Sequence, residues 1–211
     1  MEDLVARLAC SDTAAVADAQ GGFGILDPAI RSVVPGRKVS GPAFTVKCYP
    51  GSIITVHKAL VEARPGDVLV VDGEGDGRGG ALIGELMSRE CIDRGLAGVV
   101  VDGAVRDVAG LCALGFPTFA RQVTPRVGVN RRLGQTQVPV SVGGVVVRPG
   151  DYVLADDDGV AVIAAADLER IVTAVEATER KEIGLADAIG RHQRLADLLG
   201  FRETVGGNQG E

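Results

Sequence analysis

The sequence has no tryptophan, and aromatic residues make up only 3% of its 211 positions. Its interior must therefore be built from valine, leucine, isoleucine and alanine, a mix that suits buried strands flanked by helices. There are two histidines, His57 and His192. Neither has a metal-ligand partner two or four residues on, which argues against a histidine-based zinc or class II aldolase centre. The four cysteines, Cys10, Cys48, Cys91 and Cys112, contain no CxxC pair. A zinc ribbon or thioredoxin-like site is thus unsupported, and the cysteines are expected to be small buried hydrophobes in a reducing compartment. No stripe of lysine and arginine offsets a net charge of −6, so no nucleic-acid partner is expected. No apolar run reaches the roughly 18 residues of a membrane span. The opening MEDLVARLACSD lacks the long apolar core of a signal peptide. A cytoplasmic protein without membrane contact is the expectation. There is also no GxSxG and no GxxxxGK[ST], which leaves a serine hydrolase or P-loop enzyme without support.

What is present is an apolar fraction of 46% in a chain long enough for one sizeable core. We expect one domain over 1–211, with the tail after about residue 203 frayed. The spacing of Leu4, Val5, Leu8 and Ala9 predicts a short first helix. Ser11-Asp12 offers an N-cap for a second helix through Ala19. VSGPAFTVKCY (39–49) predicts a strand, and Ser52 to Arg64 a helix stopped by Pro65-Gly66. VLVVDG (68–73) and AGVVVDG (97–103) are short buried strands that each end in Asp-Gly. Between them ALIGELMSRECIDRG predicts a helix with Leu82, Leu86 and Ile92 on one face and Gly95 as its C-terminal cap. Beyond Pro117 a run of short strands follows, with a hairpin turn at Asp158-Gly159, and then helix from about Ala166 to Leu199 broken near Gly190.

Two strand–loop–helix units in tandem place ligands at the carboxyl ends of their strands. The stretch EGDGRGG (74–80) is a loop with four glycines in seven residues. It is either a flexible surface loop or the entry to a carboxylate cradle made by the amides around Gly84, Glu85 and Leu86 at a helix N-terminus. Arg106-Asp107 follows the second strand. Arginine can grip a carboxylate or enolate oxygen with two parallel hydrogen bonds, and the aspartate can hold a hard divalent cation largely through water. The same pair also fits an ordinary exposed turn. Glu85 precedes Arg106 by twenty intervening residues, the length of one helix and one strand. That spacing returns the chain to the same sheet edge. Two carboxylates and an arginine around one cation would suit proton transfer next to a carbonyl. Glu85 also fits an acid favoured by the helix dipole alone. His57 is expected to be a capping or core residue and Lys47 a snorkelling side chain rather than a Schiff base. Asp156-Asp157-Asp158 lacks the spacing of a calcium loop and is expected to be a turn. Arg131-Arg132, an adjacent basic pair, is expected in a solvated loop.

The segments KCYPGSIITVHKAL, RPGDVLVVDG, GALIGELMSRECIDRGLAGVVVDGAVRD, FPTFARQVTPR, VPVSVGGVVVRPGDYVLADDDGVAV and LADLLGF occur in one order over most of residues 40–200. With them the chain resembles the family of 4-hydroxy-4-methyl-2-oxoglutarate aldolases and the regulator of ribonuclease E activity. The resemblance implies an α/β fold, a layered α/β/β/α sandwich similar to the swivelling phosphohistidine domain, assembled as a homotrimer or a hexameric dimer of trimers. It implies a divalent-metal lyase, with Mg²⁺, Mn²⁺ or another divalent cation. The substrate would be 4-hydroxy-4-methyl-2-oxoglutarate or 4-carboxy-4-hydroxy-2-oxoadipate, with oxaloacetate decarboxylation on the side. By that analogy Asp107 ligates the metal, Arg106 binds the pyruvyl oxygens, Glu85 holds metal-bound water, and the amides from Gly84 to Leu86 bind the pyruvate carboxylate. An acid crossing a subunit interface, Glu179 or Glu182, is implied as well. The family pattern has Asp where this chain has Glu85, whose extra methylene moves the carboxylate by about one bond length. The competing readings are a non-catalytic regulator that binds ribonuclease E or another protein, and a metal-dependent lyase of a different oxoacid. A methyltransferase would need a cofactor-binding sequence that the chain does not show.

Overall fold

A computed structural model describes residues 2–75 and 79–201. The tail expected to fray and the centre of the glycine-rich stretch, 76–78, lie outside the described residues. The fold grows from runs of valine buried on both faces. In β3 (Val68–Asp72) all five residues are buried, and in β5 (Gly98–Val105) all eight. Alternation then sends Leu69, Val71, Val99 and Val101 to one side and Val68, Val70 and Val100 to the other. β2 (Val39–Lys47) and β6 (Thr118–Val123) complete a parallel core in the order β6-β5-β3-β2. β1 (Arg31–Ser32) adds antiparallel beside β6, and both the short β7 (Gln135–Thr136) and the hairpin β10 (Tyr152–Asp156) and β11 (Gly159–Ile163) add antiparallel beside β2.

Four layers result. α3 (Ile54–Glu62), α4 (Glu85–Asp93) and α5 (Val108–Leu114) cover the outer face of the parallel strands through Val56, Leu60, Cys91 and Leu111. The inner face packs Val70, Val100 and Phe119 against Val153, Ala155 and Val162 of β10 and β11, and against the small hairpin β8 (Val140–Val142) and β9 (Val145–Val147). The other face of β10 and β11 is covered by α1 (Glu2–Cys10), α2 (Thr13–Ala19) and the first turns of α6 (Leu168–Gly190). The order helix, sheet, sheet, helix is the layered α/β arrangement expected, and an Ile25–Ala161 bridge nearly closes the sheet on itself. No helix among the described residues is long and apolar enough to cross a membrane.

Several expectations need correction. Ala81–Ile83 is not the start of a helix but a strand, β4, that pairs with Ala104 and Val105 of β5. Past Asp102 the β5 edge is no longer taken by β3, and the chain fills it. Consequently Leu82 is buried in the sheet, whereas Leu86 is 78% and Ile92 44% exposed; α4 buries Ser88 and Cys91 instead. The Gly95 cap holds: its N–H donates to Ile92 and that of Leu96 to Cys91, closing a Schellman motif. At α2 Asp12 sits at the cap without capping; Asp156 accepts from the N–H and hydroxyl of Thr13. The β10–β11 turn is Asp157-Asp158, one residue earlier than expected, since Asp156 pairs with Gly159. Arg131 and Arg132 stand in an exposed loop, as expected, with the Arg132 guanidinium 4.4 Å over the Tyr49 ring. Cys48 and Cys91 are buried, and burial pushes both thiols up to about 12. Cys10 and Cys112 are exposed, because both sit on the outer sides of terminal helix turns.

Both Asp-Gly pairs turn out to be clamps, although only the first ends its strand: β5 runs on past Gly103 to Val105. Asp72 and Asp102 are register partners across β3 and β5. Asp72 accepts from Lys47 Nζ (2.7 Å) and the N–H groups of Glu74 and Ser141. Lys47 is therefore held in an ion pair rather than snorkelling. Asp102 accepts from Arg121 Nε (2.5 Å) and from the Gly143 N–H (2.6 Å), while Arg121 also reaches Asp27 (2.8 Å). These hydrogen bonds, Asp102 first, raise the Arg121 guanidinium well above its ordinary range. Replacing Asp102 by alanine leaves the buried Gly143 N–H without its acceptor and Arg121 with Asp27 as its remaining partner. Urea denaturation should show a loss of about 2 kcal/mol, the scale for an unsatisfied buried group. Asp102→Asn, which keeps an acceptor for Gly143, should lose less.

Candidate functional site

The strand β5 ends at Val105, and the next two residues turn sharply off the sheet. The Arg106 N–H donates to Ile83 O (3.0 Å), which ties this turn to the end of β4. Asp107 then adopts a left-handed conformation, φ 60° and ψ 41°, and starts α5. Aspartate is one of the few side chains that tolerates that region. Next door, β4 ends in Gly84 and α4 begins at Glu85. The two chain turns thus lie side by side at the carboxyl end of the parallel strands, where α/β sheets gather ligands.

Their contacts are direct. The Glu85 N–H donates to Asp107 Oδ2 (3.2 Å), and Arg106 Nε lies 3.3 Å from the same oxygen. Gly84 has to lack a side chain here. A Cβ would stand 2.6 Å from Asp107 Oδ2 and 3.0 Å from Arg106 Cγ. Glu85, Arg106 and Asp107 are therefore brought together as their spacing implied, although not in the way expected for Glu85. Its carboxylate points away, toward α5 and Arg89: Arg89 Nε and a terminal nitrogen donate to Glu85 Oε1 at 3.0 and 2.7 Å. Of the amides assigned to a carboxylate cradle, that of Glu85 is taken by Asp107, leaving the next first-turn N–H groups of α4, Leu86 and Met87, without carbonyls inside the helix to accept them.

A cavity of about 170 Å³ opens in front of this turn. Arg106, Asp107 and Gly84 form its polar wall, and Ile53, Leu82, Ile83, Met87 and Val127 much of the remainder. Leu86 lines its rim. So does His57, an exposed residue of α3 rather than a core or capping one. The buried face of α3 is Val56, Ala59 and Leu60, which turns His57 off the core. A histidine off the apolar face of a helix that begins at a strand's carboxyl end was the available signal for it. A larger cavity, about 510 Å³, runs past Lys47, Tyr49, Glu74 and Gln135. Its cation is committed to Asp72, so the smaller cavity holds the better chemistry.

Among the described residues no three His, Cys, Asp or Glu side chains stand together as a ready metal cage. A hard cation does fit more loosely. The side chain of Asp107 is 40% exposed, its Oδ1 carries no hydrogen bond among the described residues, and the missing Cβ at Gly84 leaves room beside it. Such an ion would have Asp107 as its protein ligand and complete its shell with water and substrate oxygens, the habit of Mg²⁺.

The chain is similar to several known proteins. The family model described as RraA-like, Aldolase/RraA, matches residues 13–162. A protein of Halalkalibacterium halodurans named "Putative 4-hydroxy-4-methyl-2-oxoglutarate aldolase" is 35% identical over 195 residues, covering 92% of this chain and 90% of its own. A crystal structure of an uncharacterized protein from Pseudomonas syringae pv. tomato superposes with a TM-score of 0.83 at 28% identity, covering 93% of this chain and 96% of that one. Streptomyces coelicolor RraAS2, described as an unusual member of the RNase ES inhibitor RraA protein family, gives 0.76 at 33% identity, over 85% and 94% of the two chains.

Proposed function

The chain belongs to the RraA-like, Aldolase/RraA family, and from that premise we propose that it is a divalent-metal-dependent lyase that releases pyruvate from a small oxoacid. The substrates we assign are 4-hydroxy-4-methyl-2-oxoglutarate or 4-carboxy-4-hydroxy-2-oxoadipate, with oxaloacetate as a decarboxylation substrate. One observation carries the reading: a guanidinium and a carboxylate, 3.3 Å apart, form the polar wall of a mostly apolar cavity at the carboxyl end of the sheet.

Arg106 would bind the pyruvyl oxygens and offset the negative charge that grows on them as the carbon–carbon bond breaks. The first-turn amides of α4 would take the pyruvate carboxylate, favoured by the helix dipole. Asp107 would hold Mg²⁺ or a similar cation, whose contribution is Lewis-acid polarisation of the C2 carbonyl. The apolar wall, Ile53, Ile83 and Met87, would keep bulk water from the reacting carbons. Cleavage of a 4-hydroxy acid also needs a group to receive the hydroxyl proton; the carboxylate at position 85 would serve only on leaving Arg89, toward which it is turned.

The assembly is part of the proposal. α6 buries Leu168, Ile171, Val172 and Val175 near its start, then runs on through exposed Ile183 and Ile189. That second half, which carries Glu179 and Glu182, is suited to packing on another copy in a homotrimer or hexamer, and light scattering will give the stoichiometry. The likeness to RraAS2 favours a second reading, a non-catalytic regulator that docks on a ribonuclease. Pyruvate release coupled to lactate dehydrogenase, with Mg²⁺ and then with EDTA, separates the two. Metal-dependent release from either class of substrate supports the lyase; none from a folded oligomer supports the regulator.

A further inference from the structure

Residues on both sides of Glu85 line the cavity, Gly84 before it and Leu86 and Met87 after it, yet Glu85 does not. Two features hold it aside. Arg89, one turn on, places Nε and a terminal nitrogen on Oε1. Gly110, in the facing turn of α5, leaves the hollow that the rest of the carboxylate fills: a Cβ there would collide with Oε2 and come within 2.7 Å of Cδ. The longer arm of glutamate is what lets the group reach this hollow. Among the described residues the Arg89 side chain makes no other hydrogen bond or ion pair, and it does not line the cavity.

Resting on the lyase reading above, we infer that Arg89 and Gly110 latch Glu85 out of the cavity, and that this latch sets which of two carbon–carbon cleavages the site performs. The two reactions differ in one proton. In loss of CO₂ from a 2-oxoacid with a carboxylate on C3, the C3–carboxylate bond breaks and its electron pair becomes the enolate of pyruvate. CO₂ leaves, and C3 later takes a proton from water. No base is needed before the bond breaks. In cleavage of a 4-hydroxy-2-oxoacid, the C4 hydroxyl must first give up its proton. The C3–C4 bond then breaks, its pair forms the same enolate, and C4 becomes a carbonyl. Arg106 and Asp107 serve both reactions equally. Only the second requires a carboxylate, directly or through one water, beside C4. With Glu85 latched the site is built for decarboxylation, and Arg89 is a positioning residue that suppresses aldol cleavage.

The test compares initial rates on oxaloacetate and on 4-hydroxy-4-methyl-2-oxoglutarate, both with Mg²⁺ and after subtraction of the metal-only background. Arg89→Ala should raise the ratio of aldol cleavage to decarboxylation by about two-fold, the factor carried by a part-exposed ion pair one helical turn apart. Arg89→Lys, which keeps a cation for Glu85, should stay near the wild-type ratio. The double variant Arg89→Ala with Glu85→Gln should lose the gain, because it has no carboxylate to release. An unchanged ratio in Arg89→Ala, or a gain that survives in the double variant, overturns the latch while the lyase reading stands. A wild-type protein silent on both substrates overturns the lyase reading, and the latch with it.

Discussion

Replacing Asp107 by asparagine is expected to cut metal-dependent pyruvate release by roughly 10²–10³-fold, the scale for losing one group that meets transition-state charge, with the fold intact. Asparagine is the informative replacement. Asp107 sits at φ 60°, a region that Asn accepts and Ala does not, so Asp107→Ala would mix backbone strain with lost chemistry. The amide oxygen of Asn can still accept from the Glu85 N–H, which now lies 3.2 Å from Oδ2. What disappears is the negative charge that would hold a cation and that balances Arg106 at 3.3 Å. The thermal midpoint should therefore move little, while Mg²⁺ affinity by calorimetry and turnover fall together. Full turnover in Asp107→Asn would remove this residue from the chemistry.

How much of this could be seen beforehand depends on where each residue gets its instructions. β3 and the first part of β5 were legible because short valine runs between turn signals favour strand by their length and β-branching, whereas β5 runs on to Val105, past the Asp-Gly expected to end it. β4 was not legible. Three residues, Ala81, Leu82 and Ile83, cannot display a period, and their strand state is imposed by the free edge of β5 at Ala104 and Val105. Predicting them as helix made Leu82, Leu86 and Ile92 one apolar face, when Leu82 belongs to the sheet and the other two to the surface. The spacing between Glu85 and Arg106 did indicate neighbouring turns, since one helix and one strand have a fixed combined length. It could not indicate a rotamer. That the Glu85 carboxylate lies against Gly110 and Arg89, and not in the cavity, depends on a helix later in the chain. His57 was read from its own helix alone, and what it faces is supplied by β4 and α4. The Asp-Gly strand ends were flagged as the place for a ligand, but Asp72 and Asp102 are occupied with Ser141 and Gly143 of a hairpin some forty or more residues later. Long-range partners were the common missing ingredient.

A methyl group at Gly84 should be nearly as damaging to turnover as the loss of Asp107, and for a purely steric reason. The backbone there is extended, φ −149° and ψ −168°, so alanine meets no conformational penalty. Its Cβ would instead stand 2.6 Å from Asp107 Oδ2, 3.0 Å from Arg106 Cγ and 3.2 Å from Arg106 Nε. Both side chains are about one-third exposed and free to yield toward solvent, so the cost to stability should be at the low end of overpacking, about 1 kcal/mol. The cost to catalysis should be larger. Yielding by about 1 Å moves the carboxylate and the guanidinium away from the oxygens they serve, and a displacement of that size is worth roughly 100-fold. Gly84→Ala should therefore keep its urea midpoint close to wild type and lose turnover on oxaloacetate and on the 4-hydroxy acid alike. The equal loss distinguishes it from Arg89→Ala, which moves the ratio of the two. If Gly84→Ala kept full activity, Arg106 and Asp107 would not be the groups that act on the substrate, whatever their proximity.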